Sequence, residues 1–193
     1  SVADRMVHSA KMPVLLVRPD LREPCSQSNP RSRTEVDMYE RILVPLDGSA
    51  HSELALDAAI EIARRCGAKL ILVRVAGHPV THFYVEATDV VAIPNDDSVE
   101  HSAAYLAEIS RRLDGEGIDS DFFIGQGMAA DEILRQAEVN KVNLIVIATH
   151  GRSGLGRWML GSVADRVSQG AHVPVLLVRR HDGQASEAKP EGA

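Results

Sequence analysis

From Glu40 onward the chain switches repeatedly between two hydrophobic patterns. Short apolar runs predict strands over 41–45, 70–75, 119–124, 142–148 and 174–178. Most of these are near-continuous Val, Ile and Leu, as expected of strands buried on both faces. Between them, apolar residues recur at helical spacing. Ala55, Ala59, Ile62 and Ala63 mark a helix over 52–66, and Gly67 is a natural stop. Further helices are predicted over 99–113, over 129–139 and from Ser162 to Gln169. Strands alternating with helices predict an α/β fold, an open parallel sheet of five strands with helices on both faces. Ligands of such sheets bind at the carboxyl ends of the strands, where the strand order reverses. The expected walls of that crevice are 45–49 and 148–151.

The segments outside this pattern read differently. Residues 1–18 match residues 162–179 at twelve of eighteen positions, with one constant offset. Ser1-Val2-Ala3-Asp4-Arg5 recurs as Ser162-Val163-Ala164-Asp165-Arg166, and Pro13-Val14-Leu15-Leu16-Val17-Arg18 as Pro174-Val175-Leu176-Leu177-Val178-Arg179. An internal repeat of this kind marks a duplicated unit. Residues 1–18 therefore read as the last helix and strand of a preceding, truncated domain. Residues 19–39, with Pro19, Pro24 and Pro30, read as a linker. Residues 40–180 form the complete domain, with a long connection over 77–97, and 181–193 read as a polar, disordered tail.

Composition narrows the partners. Of 193 residues, 27 are acidic and 21 basic, a formal charge of −6 with no basic stripe. That argues against nucleic acid and anionic membranes. No apolar run approaches the roughly 20 residues that span a bilayer. Cys25 and Cys66 have no metal-binding or CxxC spacing, which suits a reducing, cytoplasmic setting.

The candidate chemistry lies between the fourth strand and the last helix. Ala148-Thr149-His150-Gly151 is followed, nine residues later, by Gly161-Ser162-Val163. Glycines between a buried strand and a helix start let backbone N–H groups approach an anion. These residues resemble the universal stress protein family, whose nucleotide-binding members carry G-x2-G-x9-G-[ST]. Gly151, Gly161 and Ser162 match it, and Ala148 stands where the first glycine would be. Asp47, following Pro45 and Leu46, matches the family's aspartate at the end of the first strand. The resemblance spans 40–179 and implies strand order 3-2-1-4-5, an adenine nucleotide alpha hydrolase-like arrangement.

The resemblance implies roles by position. Asp47 would contact ribose hydroxyls; the alternative is that it caps the first helix. Pro45, Leu46 and Val75 would wall the adenine, unless they are ordinary core. Gly151, Gly154, Gly161, Ser162 and Val163 would offer N–H groups and a hydroxyl to phosphates. Ser162 to Asp165 also fits a capping-box spacing. Arg152 would pair with phosphate, and His150 would rest in the loop. Ala148 would weaken the approach of ligand to backbone. No catalytic residue and no protein metal site are expected, and Mg²⁺ would arrive with the phosphates.

The implied function is a stress-response regulatory module in the cytoplasm that binds ATP, or AMP or ADP, with little or no turnover. It would form a homodimer through the edge between Val175 and Val178. Val14 to Val17 is expected to pair antiparallel with that same edge, within one chain or between two. The alternative is a nucleotide-free interaction protein of the same fold.

Overall fold

The computed structural model describes residues 12–17, 39–76, 99–149 and 161–179. The expected linker, long connection and tail lie outside these residues, except for Tyr39, which packs half-buried on the domain core. The elements in chain order are β1 (Val14–Leu16), β2 (Arg41–Pro45), α1 (Ala50–Cys66), β3 (Lys69–Ala76), α2 (Val99–Gly115), β4 (Ser120–Gln126), α3 (Ala129–Val139), β5 (Leu144–Thr149), α4 (Ser162–Gly170) and β6 (Val175–Arg179). Most bounds fall within two residues of those expected.

One sheet organises the molecule, in the order β1-β6-β5-β2-β3-β4. The five strands of the domain are parallel and follow the expected 3-2-1-4-5 order. The sheet nevertheless has six strands, not five, and is mixed. β1 adds to the outer edge of β6 in antiparallel register, with Val14 opposite Leu177, Leu15 opposite Leu176 and Leu16 opposite Val175. This pairing lies within one chain.

Alternate strand residues face opposite sides of a sheet, and here each side has its own core. Ile42, Val44, Leu46, Leu70, Leu72, Leu144 and Val146 pack beneath α1 and α2. Leu43, Ile71, Val73, Ile145, Ile147, Val175 and Leu177 pack beneath α3 and α4. Both layers exclude water almost completely, which is why the central strands read as unbroken apolar runs. Edge strand β4 departs from that pattern, with Phe122 and Asp121 exposed.

Helix α1 starts at Ala50, two residues before the apolar periodicity suggests. Ser49 caps it: the Ser52 N–H donates to Ser49 Oγ at 3.1 Å. Gly67, in the left-handed region at φ 64°, closes it with an N–H donated to Ala63 O. On the amino-terminal rim, Lys69 reaches Asp121 at 2.9 Å and Asp119 at 3.3 Å, tying β3 to β4. Buried Glu132 of α3 receives Arg135 and Gln136 and lies where a side chain at Gly125 would stand.

Candidate functional site

The strand order reverses between β2 and β5. β2 leads to β3 on one side of the sheet, and β5 leads to β6 on the other. The carboxyl ends of these strands form the rim where an α/β sheet receives ligands. Sequence-predicted residues meet there from three elements: Pro45 to Asp47 from β2, Val75 from β3 and Ala148 from β5. Gly161, Ser162 and Val163 begin α4, which packs on the face shared by Thr149 and Ile147. His150, Gly151, Arg152 and Gly154 lie outside the described residues.

The β2 side is closed by its own hydrogen bonds. Leu46 is buried core, and its N–H donates to Val73 O at 2.8 Å. Gly48 has φ 83°, a left-handed conformation that turns the chain sharply into α1. The Ser49 N–H donates to Asp47 Oδ1 at 2.9 Å. The Ser52 hydroxyl donates to Ser49 O at 2.8 Å, and the Asp47 N–H donates to Ser52 Oγ at 3.4 Å. Partial burial pushes the Asp47 carboxyl upward, but its hydrogen bonds with Ser49 and Ser52 outweigh that and hold it below the ordinary aspartate value. Asp47 therefore stays ionised and keeps acceptor capacity toward the rim. The helix cap is Ser49, so capping does not account for Asp47.

Behind this turn stands a polar group that sequence reasoning passed over. Arg74 of β3 is 9 % exposed, and its guanidinium lies 5.2 Å from the centroid of the Tyr105 ring. The Tyr105 hydroxyl donates to Glu53 Oε1 at 3.1 Å. Burial first, and then the Glu53 carboxylate, push the Tyr105 phenol well above its ordinary value. Arg74 also fills the space that a Cβ at Gly48 would need.

The β5 side is built differently. Thr149, the last residue of β5, is fully buried, and among the described residues its hydroxyl has no hydrogen-bond partner. Buried hydroxyls are seldom left so. Gly161 takes the cap position of α4 with extended backbone, and having no side chain it gives the helix no side-chain cap. Ser162 is the first helical residue and is exposed, so the Ser162–Asp165 capping box does not form. The first-turn N–H groups of α4 and its positive dipole end are left to other partners. Arg179, opposite Thr149 in β6, is half-buried, and burial lowers its guanidinium below the ordinary arginine value.

Three side chains sit where the fold, rather than the motif, puts them. Ala148 packs its methyl against the α1-side core, across the sheet from α4. The extra carbon relative to glycine thus meets apolar neighbours. Val75 lies half-buried on the α3 and α4 side, and alternation with Leu43 puts Pro45 on that side too. Among the described residues, no group of three His, Cys, Asp or Glu side chains is gathered to hold a metal, and no helix is long and apolar enough to cross a membrane.

Comparison with known proteins gives this architecture its relatives. The model of the Universal stress protein family matches residues 38–179. The chain is 33% identical over 156 residues to the universal stress protein MJ0531 of Methanocaldococcus jannaschii, covering 77% of this chain and 86% of that protein. A universal stress protein from Archaeoglobus fulgidus has the same fold, with a TM-score of 0.68 at 21% identity. That match covers 93% of this chain and 55% of the other, so this chain spans about half the length of that relative. A universal stress protein crystallised in complex with cAMP aligns with a TM-score of 0.56 and 28% identity, over 73% of this chain and 97% of the other. With the family model spanning the whole of the parallel domain, this chain belongs to the universal stress protein family.

Proposed function

We propose that the crevice between the β2–α1 turn and the start of α4 binds an adenine nucleotide, ATP or else AMP or ADP. The observation that carries this reading is the convergence of the carboxyl ends of β2 and β5 on the start of α4, where Gly161 gives no side-chain cap and, among the described residues, the buried Thr149 hydroxyl has no partner. An anion supplies what those donors lack. The ionised Asp47 faces the same rim and suits ribose hydroxyls, which donate to a carboxylate. Pro45 and Val75 offer apolar flanks of the kind that small-molecule pockets use. Ser162 would add its exposed hydroxyl on the phosphate side. Mg²⁺ would be carried by the phosphates, since it keeps most of its waters. The relative crystallised with cAMP supports the ligand class.

We read the protein as a binding and regulatory module of a cytoplasmic stress response, with little or no turnover. Asp47, held below its ordinary pKa, is a weak general base.

The test is direct. Protein purified without added nucleotide is denatured, and the supernatant is assayed for adenine nucleotides. Separately, melting is followed with ATP at millimolar concentration. A ligand at about a hundredfold over its Kd adds roughly 2.7 kcal/mol, a shift of several degrees. Absence of released nucleotide together with an unmoved melting temperature would leave the nucleotide-free interaction module as the function.

A further inference from the structure

We propose that Arg74, stacked on Tyr105 beneath Gly48, is a positioning residue for the nucleotide site: it holds the turn from Asp47 to Ser49 so that the Asp47 carboxylate meets the ribose, and thereby sets the preference for ligands that carry ribose hydroxyls. This role rests on the nucleotide reading of the rim.

The first observation is a charge out of place. Every other residue from Leu70 to Ala76 is apolar, yet Arg74 is only 9 % exposed among them. Taking a guanidinium out of water is costly, and buried ions often give way to apolar residues of similar volume with no loss of stability. An apolar side chain of that length would serve the core as well. A residue that breaks the local pattern in this way marks a site whose demand is not packing.

The second observation is where the charge ends. By alternation with Leu70 and Leu72, Arg74 points to the α1 and α2 side of the sheet. Its guanidinium reaches the β2–α1 turn and occupies the place that a Cβ on Gly48 would take. The same group lies 5.2 Å from the centroid of the Tyr105 ring. The Tyr105 hydroxyl donates to Glu53 Oε1 at 3.1 Å, which ties the ring to α1. α2 thus backs the guanidinium, and the guanidinium backs the turn.

The third observation is what the turn carries. Asp47 and Ser49 flank Gly48, and the Ser49 N–H donates to Asp47 Oδ1 at 2.9 Å. The direction of that carboxylate is therefore set by the backbone that Arg74 supports. Asp47 also lies within the field of this cluster. Burial and Glu53 raise the Tyr105 phenol most; the Arg74 guanidinium lowers it and the Asp47 carboxylate raises it further. Glycine gives a turn conformational freedom, and a planar cation packed against Gly48 removes that freedom. With the turn held, Asp47 meets ribose hydroxyls without first being ordered, which is how preorganised sites gain affinity.

Two measurements on the unaltered chain, Arg74→Met and Arg74→Lys test this role. Met keeps an apolar stem, and Lys keeps the charge without the planar fork. Without ligand, hydrogen exchange of the Ser49 amide is followed by NMR. It should quicken about tenfold in Arg74→Met, with the amides of Leu43 and Val44 unchanged. With ligand, calorimetric titration compares ATP with dideoxy-ATP, which lacks both ribose hydroxyls. The unaltered chain should prefer ATP by about tenfold or more, the worth of hydrogen bonds to a carboxylate. That preference should vanish in Arg74→Met and fall about threefold in Arg74→Lys. A role in stability alone would lower the melting temperature and leave the preference between the two ligands intact, and that outcome overturns the proposal. So does a Ser49 amide that exchanges no faster in the variant. If Arg74→Met does not fold, Arg74→Lys decides by the same two readings. An unaltered chain that binds both ligands equally removes Asp47 from the ribose and overturns this role, while nucleotide binding stands. If the unaltered chain binds neither, the nucleotide reading fails and this role with it.

Discussion

The two walls of the crevice solve the same local problem, a strand running into a helix, in opposite ways. At the β2–α1 turn the side chains are tied into the protein: Ser49 caps the helix, Asp47 receives the Ser49 amide and Ser52 bridges back to both. At the β5–α4 side, among the described residues, a buried hydroxyl is unpartnered and the cap residue Gly161 has no side chain to give. One wall is cross-linked by hydrogen bonds of its own. The other leaves donors open among its described residues. The difference teaches where binding energy is expected to be gained. The first wall orients, and the second gains hydrogen bonds that folding left unmade.

The sharpest way to break this comparison is Gly161→Val. Gly161 has φ −52° and ψ 143°, a conformation open to any residue. The branched side chain should therefore obstruct the start of α4 without straining the backbone. Calorimetric titration with ATP should show affinity falling by about a hundredfold, some 2.7 kcal/mol, with the melting temperature of the free protein within a few degrees. Unchanged affinity would remove α4 from the site.

Thr149→Val tests the unfilled wall more finely. The replacement is nearly isosteric and deletes the unpartnered hydroxyl. Urea unfolding of the free protein should show a gain of about 1 kcal/mol, because an unsatisfied buried group costs on that order. ATP affinity should fall about tenfold over the same change. A loss of stability instead would mean that the hydroxyl is satisfied in the free protein.

The smallest effect belongs to the closed wall and is read through pH. The folded-state pKa of Asp47 is lowered, so its ionised form is favoured by folding. That contribution is fully present above the unfolded aspartate value of about 3.9 and is lost as pH falls through the lower, folded value. The urea midpoint of the unaltered chain should thus exceed that of Asp47→Asn at neutral pH. The two should converge as pH drops below about 4. A gap that persists in acid would show that the amide disrupts the turn for reasons other than charge.

The fold was legible because its strands are buried on both sides, and the short-range pattern of Ile42 to Val44 or Leu144 to Ile147 reports that directly. β1 was legible through its repeat. What escaped the sequence was set by long-range packing. Arg74 sits in a strand run and reads as a solvated cation until α2 brings Tyr105 over it. Thr149 looks like one more strand threonine, and its distinction is the lack of a partner, which no local pattern records. Ser162 has a good capping spacing, but the extended Gly161 takes that position first. Asp47 was readable as ligand or cap. The geometry of Ser49 removes the cap reading, since a cap is defined by which oxygen the Ser52 amide meets.

Arg74 and Gly48 also constrain the order in which this sequence can change. A Cβ at position 48 would run into the end of the Arg74 guanidinium, in a backbone that already disfavours side chains. Residue 74 can shorten while Gly48 stays, because glycine tolerates the vacated space. The reverse step strains the left-handed turn whatever stands at position 74, and also asks the flexible end of Arg74 to move aside.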